Sequence, residues 1–443
     1  MKLARILSLI ILIFIISEDN FSQFLAWYTI PNAPTNPTKL DDCFFINANT
    51  GWVITGQSPS GAVYKTTNGG VSWVFQIQIN QFLRCIGFAD SLNGWIGVLN
   101  TNLIYKTSNG GTTWTMQTLP TPSSSGTCGI SVVNSSLIYA CGRYEEPAYF
   151  IKSTNGGNTW SAVNMSAFVS TLVDCYFYSP DSGFVVGGTG SFYTNTKPRI
   201  LFTSDGGSTW AVRYTGQLTS QWCWKISFAV ANTGYVSIES WRDSDTVSYL
   251  KTTDKGVSWN AVCFTIDTNK YHSQSVFFVS ETLGWVGGYL CCTPGVSNGK
   301  VYETTDGGFT WQPNPWGYNV NRFRYINDST VYAVGRTVYK YSRDPIGIKP
   351  ISNQIPNQFS LSQNYPNPFN PKTIFNFQLP MFNYVSLKVY DVLGREITTL
   401  VNELLQPGTY EVAWDASNFP SGVYYYKLTA IDYTETKKMV LIK

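Results

Sequence analysis

Short apolar runs broken by polar turns occupy most of the chain. Cys43-Phe-Phe-Ile46, Trp52-Val-Ile-Thr55 and Val63-Tyr64-Lys65-Thr66 are three such runs, and Asn47-Ala-Asn-Thr-Gly51 is the turn between the first two. The order returns with Cys175-Tyr-Phe-Tyr178, Gly183-Phe-Val-Val-Gly187 and Leu201-Phe-Thr203, and again from Val276-Phe-Phe-Val279. Runs this short, rich in β-branched and aromatic residues, predict strands. After each third strand stands a polar cassette, first written Tyr64-Lys-Thr-Thr-Asn-Gly-Gly-Val-Ser-Trp73. Its tryptophan recurs at Trp114, Trp160, Trp210, Trp259 and Trp311, every 41 to 52 residues.

A four-stranded unit recurring at that period predicts the blades of a β-propeller, because a lone meander must bury its faces against neighbours. In each cassette Asn68, Asn109, Asn155, Asp205, Asp254 or Asp306 can accept hydrogen bonds from the turn's own amides. The glycines supply the positive φ of a tight turn. Six cassettes undercount the blades. Phe323-Arg-Tyr-Ile326, Thr330-Val-Tyr-Ala-Val-Gly335 and Thr337-Val-Tyr-Lys-Tyr341 are three strands without a cassette. Phe24-Leu-Ala-Trp27-Tyr-Thr-Ile30 matches the segments that follow the cassettes and can supply the fourth strand. The expectation is a seven-bladed propeller over residues 24–344, closed by its N-terminal strand, which also removes the free sheet edges.

The cassette resembles the Asp box, the bacterial neuraminidase repeat. That resemblance implies a structural turn on the face away from any ligand, with Trp73, Trp114, Trp160, Trp210, Trp259 and Trp311 as packing wedges. The whole unit is also similar to the photosystem II assembly/stability factor propellers, and to sortilin-type and oligoxyloglucan-processing propellers.

The texture changes after Ser342. Residues 345–358 read as a linker, and residues 359–443 as a small immunoglobulin-like β-sandwich, so the chain is all-β. Five motifs follow in order: Asn364-Tyr-Pro-Asn-Pro-Phe369, Val389-Tyr-Asp-Val-Leu-Gly-Arg395, Trp414-Asp-Ala-Ser417, Pro420-Ser-Gly-Val-Tyr424 and the strand Lys438–Lys443. They resemble the type A C-terminal sorting domain of the type IX secretion system of Bacteroidota and related phyla. Pro366, Asn367, Pro368, Phe369, Tyr390, Asp391, Gly394, Arg395, Gly422, Tyr424 and Lys438 carry the match. The resemblance implies the type IX machinery as partner of residues 359–443, and a secreted or outer-surface destination through the periplasm. At the other end, Lys2 and Arg5 precede the apolar run Ile6–Ile16, so residues 1–23 read as a signal peptide. That run is too short to span a bilayer.

Composition narrows the function. Charged residues are 13% of the chain and aromatics 16%, with a formal net charge of +3, which argues against nucleic acid. Nine cysteines do not read as a disulfide framework. Cys43, Cys85, Cys128 and Cys175 read as one position in four blades, and only Cys128 and Cys141, opposite across a hairpin, suggest a bridge. The single histidine, His272, reads as a loop residue and lacks the setting of a catalytic triad. Cys291-Cys292 lacks zinc-ligand spacing, so no metal and no cofactor are expected. A sialidase would need an arginine triad and an early Phe-Arg-Ile-Pro-like motif, and Lys197-Pro-Arg-Ile200 is the nearest string. Asp42 and Asp174 could face the channel but lie three blades apart.

The expectation is a non-catalytic binding or adhesion module for a glycan or protein. A polysaccharide-active hydrolase and a structural surface-layer protein are the alternatives. The ligand surface is expected on the loops opposite the cassettes. Arg143, Tyr144, Tyr193, Arg199, Trp241 and Arg242 come from the loops between second and third strands. Trp222, Trp224, Tyr271, Trp316 and Tyr318 come from inter-blade connections on that side.

Overall fold

The structure, a computed structural model, describes residues 25–56, 60–191, 194–230, 232–241, 246–266, 271–290, 299–342, 348–352, 354–417 and 419–443. The expected signal peptide, Tyr193, Arg242 and the Cys291-Cys292 pair lie outside them. The described residues form nine four-stranded sheets, all with antiparallel neighbours.

Seven of the sheets are propeller blades. Six are plain meanders, the first running Asp42–Phe45, Gly51–Ile54, Gly61–Thr66 and Val74–Ile79. The seventh takes Arg322–Asn327, Thr330–Val334 and Val338–Ser342, and receives Ala26–Thr29 as its outer strand. Trp27 pairs with Tyr341 in register, and its ring stacks on Trp316 at 4.1 Å and meets Trp285 edge-on at 5.3 Å. The ring is thus closed by the N-terminal strand, as the pattern of the chain predicts.

Blades pack through repeated aromatic pairs. Phe88 stacks on Trp52 of the preceding blade at 3.6 Å, Phe177 on Tyr139 at 3.7 Å, and Phe45 on Tyr332 across the closure at 3.6 Å. Each such phenylalanine lies flat over the glycine that opens its own second strand. A Cβ at Gly51 or Gly94 would come within 2.2 or 2.4 Å of the ring. The glycine before the second-strand aromatic therefore makes room for the inter-blade stack.

The cassettes are self-contained turns. In the fourth, Asp205 Oδ1 accepts from the Thr209 amide at 2.9 Å and from Thr203 Oγ1 at 2.8 Å, while Gly207 N donates to Thr203 Oγ1 at 2.9 Å. Thr209 Oγ1 donates to Asp205 Oδ2 at 2.6 Å. In the first cassette the last bond reverses, because Asn68 Nδ2 donates to Ser72 Oγ at 2.9 Å. Each cassette is tied to the first hairpin of its own blade, as by Gly206 N to Asp181 O at 2.8 Å. Lys152 of the preceding blade adds a bond to Gly206 O at 3.1 Å. The cassettes are thus bonded into the scaffold on one face of the ring.

The last two sheets form the C-terminal sandwich. One runs Ile348–Ser352, Gly408–Asp415, Lys372–Leu379, Ser360–Leu361; the other Glu396–Leu405, Asn383–Tyr390, Gly422–Ala430, Tyr433–Leu441. Phe375, Phe377, Leu387, Val389, Tyr426 and Leu428 fill the space between. The expected linker at 345–358 is corrected here, since Ile348–Ser352 is a strand pairing with Gly408–Asp415. Pro350 concealed it. An edge strand accepts proline because one side of its backbone has no partner to bond.

The sorting motifs are turn and core elements of this sandwich. Asn364 is buried and donates to Thr373 Oγ1 at 2.9 Å and Pro366 O at 3.1 Å. Phe369 enters the core beside Trp414, and Asn367 Oδ1 accepts from the Val440 amide at 3.0 Å. Asp391 accepts from the Leu393 and Arg395 amides and pairs with Arg395 Nε at 2.7 Å, with Gly394 at φ 76°.

The cysteine expectations need two changes. Cys43 and Cys175 do pair equivalently, with Val53 and Val185, but Cys85 pairs with Gly97, one residue further from the hairpin, in the place that Asp42 and Asp174 hold, and Cys128 precedes the paired strand Gly129–Val132. Cys128 and Cys141 are both free thiols, joined only through the Cys128 amide and the Cys141 carbonyl at 2.8 Å.

Candidate functional site: the channel and its mouth

The first strand of every blade faces the central channel. Apart from His272–Ser275 in blade six, strands there are largely apolar, so their charged residues stand out. Asp42 and Asp174 occupy the same position in blades one and four, and one residue joins them. Arg322 of blade seven donates from Nε to Asp42 Oδ1 at 2.7 Å, from Nη2 to Asp42 Oδ2 at 3.1 Å, and from Nη1 to Asp174 Oδ2 at 3.0 Å. Each aspartate also accepts an amide of the following blade, Ile86 N and Ile226 N, both at 3.2 Å. Lys225 Nζ lies 3.8 Å from Asp174. Burial raises the Asp42 pKa, but Arg322 and the amide bond outweigh it and hold the carboxyl below the usual range. Both carboxylates are inter-blade staples in this arrangement.

Nearer the mouth lies a second polar layer. Arg84 pairs with Asp41, and its guanidinium sits 4.8 Å from the centre of the Trp224 ring. Lys39, on the segment entering blade one, bonds Gln274 and lies 5.6 Å from the Tyr289 ring. Burial pushes the Lys39 ammonium down to about 8. Glu239 accepts from Gln274 Nε2 at 3.1 Å and from Tyr289 OH at 3.3 Å, and lies 3.3 Å from His272 Nδ1. His272 is therefore no loop residue. It belongs to the first strand of blade six, 3% exposed, stacked on Tyr289.

The candidate surface residues divide. Tyr144, Trp222, Trp224 and Trp241 come together, with Tyr144 6.4 Å from Trp224 and Trp222 6.5 Å from Trp241. Trp241 is the open member, 43% exposed, with its ring edge-on to His272 at 5.0 Å. Trp222 and Trp224 are buried. Arg143 stands at the rim, paired with Glu145 and bonded to Asn100 and Ser125. The others lie elsewhere. Tyr271 is buried inside blade six, donating to Lys300 O at 2.7 Å. Trp316 belongs to the outer strand of blade six and packs the closure against Trp27. Tyr318 ends that same strand, 38% exposed, and Arg199 donates to Phe168 O at 2.6 Å from a third strand. An aromatic beside a loop reads alike in sequence whether it faces solvent or the neighbouring blade.

Lys39, Arg84, Lys225, Glu239, Gln274, Tyr289 and Arg322 escaped the sequence reading. For Arg84 and Lys225 the signal is a charged residue inside an apolar first strand, Leu83-Arg84-Cys85 and Trp224-Lys225-Ile226. Bulges at Arg84, Trp224-Lys225 and Gln274 blur the equivalence between blades.

Comparison with known proteins covers the two halves separately. Residues 363–443 match the family described as secretion system C-terminal sorting domain. This part of the chain is a type IX sorting domain. The sorting domain marks the protein for secretion or attachment to the outer surface. Among the described residues, no helix is long and apolar enough to cross a membrane. The propeller fold is shared with YCF48 from Cyanidioschyzon merolae, with TM-score 0.53 and 17% identity over 72% of this chain and 98% of that one. A structure of YCF48 bound to D1 peptide gives TM-score 0.51 and 15% identity over 72% and 97%. No curated protein matches the chain by sequence.

Proposed function

We propose that the propeller is a non-catalytic binding module, carried out of the cell by the sorting domain, whose ligand docks at the channel mouth. The observation that carries this reading is Trp241. Its exposed ring leads into Trp222, Trp224 and Tyr144, beside the charges of Arg143, Lys39 and Glu239. An open aromatic continuous with a buried aromatic floor suits stacking on a sugar ring or on a polypeptide side chain. The Asp42 and Asp174 pair supports binding over hydrolysis. A glycosidase needs one carboxyl kept protonated and a second free to act. Asp42 and Asp174 share one guanidinium, and Asp42 is held ionised.

The test is an array of glycans and peptides, with a glycosidase screen, on the full chain and on Trp241→Ala. Ligand capture that falls about tenfold or more in the variant, with no turnover, is the expected result. Turnover of any polysaccharide would replace this reading with the hydrolase.

A further inference from the structure

The channel holds donors that nothing in the described protein satisfies. Arg84 Nη2, Lys225 Nζ and Trp224 Nε1 are each buried without a hydrogen-bond acceptor. Their residues are 2%, 4% and 6% exposed. They belong together: Trp224 and Lys225 are adjacent at one bulge, and the Arg84 guanidinium stands over the Trp224 ring. The carboxylates nearby do not reach them. Asp41 takes Arg84 through Nη1 only, and its second oxygen is buried without a hydrogen-bond partner. Asp174 Oδ2 accepts from Arg322 and the Ile226 amide, and its Oδ1 stands 3.8 Å from Lys225 Nζ, beyond hydrogen-bond distance.

The charge count points the same way. Arg324 adds a cation without a carboxylate of its own, donating to Phe45 O at 3.3 Å and lying 3.7 Å from the Phe44 ring centre. With it, five cations face the four carboxylates Asp41, Asp42, Asp174 and Glu239. Burial depresses the Lys225 ammonium, and repulsion from Arg322 and Arg84 adds to this. Water could complete the three hydrogen bonds, but the excess charge is removed only by a bound anion or by loss of the Lys225 proton. The Arg322 and Lys39 side chains in the same polar layers are 17% and 18% exposed.

We propose that the channel binds a small carboxylate between Arg84 Nη2, Lys225 Nζ and Trp224 Nε1. Two cationic donors and an indole N–H match the acceptors of one planar carboxylate. The site adjoins the mouth through Trp224, but acetate probes it alone, so its failure is distinguishable from failure of the mouth ligand. The carboxylate can be a free metabolite-sized acid or a group carried on a larger ligand.

Titration calorimetry on the full chain tests this with acetate, with neutral acetamide, and with glucuronate, at constant ionic strength. Saturable acetate binding and none by acetamide are expected. Lys225→Met should weaken acetate at least about tenfold and Lys225→Arg should restore most of it, since a charge-assisted bond is lost and regained. Trp224→Phe keeps the ring and removes one donor, and should weaken acetate about fivefold. This variant keeps the test open if Lys225→Met does not fold. Glucuronate binding that also needs Trp241 would identify a ligand-borne carboxylate, and acetate binding that ignores Trp241 a free one. Equal heats for acetate and acetamide, or undiminished acetate binding in Lys225→Met and Trp224→Phe, would overturn the proposal.

Discussion

The two ends of the propeller handle carboxylates in opposite ways. At the cassette end, Asp205, Asp254 and Asp306 stand in solvent, and each bonds hydroxyls and amides within four residues of itself. At the mouth end, Asp41, Asp42, Asp174 and Glu239 are buried and held by groups from other blades. The Arg322–Asp42 bonds join residues 280 apart in sequence. One end is built from local turns repeated six times, the other from long-range pairs made once. Repetition marks scaffold here, and the unique contacts mark the place where function can differ.

The contrast can be broken most severely from the buried side. Replacing Arg322 with Ala leaves Asp42 and Asp174 in the channel without their shared cation, and should cost about 3 kcal/mol or more by denaturant unfolding. Trp27→Ala should cost a similar amount, about 3 kcal/mol, by opening the closure against Trp285 and Trp316. A loss under about 1 kcal/mol in either would mean that the ring is held elsewhere.

The cassettes should give a smaller, pH-dependent effect. Hydrogen bonds from Thr209, Ser258 and Thr310 lower Asp205, Asp254 and Asp306 to about 2. Their unfolded values are near 4, so the stabilisation is complete above that pH and is lost as pH falls toward 2. Asn68, Asn109 and Asn155 cannot titrate. Converting the three aspartates to asparagine should therefore flatten acid unfolding between about pH 4 and pH 2. An unchanged acid limb would remove the cassettes from the pH response. Smallest of all should be the effect of Trp241→Ala on stability, within about 0.5 kcal/mol, because an exposed side chain leaves no cavity.

The same contrast explains what could be read from the chain. The cassettes, the blade count and the closing strand were legible because each rests on a short segment that repeats. The sorting motif at Asp391–Arg395 was legible for a similar reason, since Asp391 and Gly394 act within their own turn. The channel was not. Arg84, Lys225 and Gln274 sit at bulges, and the carboxylate that each one faces belongs to a different blade. Trp222, Tyr271 and Trp316 were misplaced on the surface because burial by a neighbouring blade leaves no mark in the local sequence. The strand Ile348–Ser352 was missed because proline hides an edge strand.

The central claim, that Trp241 at the mouth serves binding and the cassettes serve only the fold, is tested most directly by a paired measurement on the full chain. Ligand capture and the unfolding midpoint are compared for Trp241→Ala and Asp254→Ala. The account predicts lost capture with an unchanged midpoint for Trp241→Ala, and a lowered midpoint with retained capture for Asp254→Ala. Lost capture in Asp254→Ala at an unchanged midpoint, with Trp241→Ala binding normally, would contradict it.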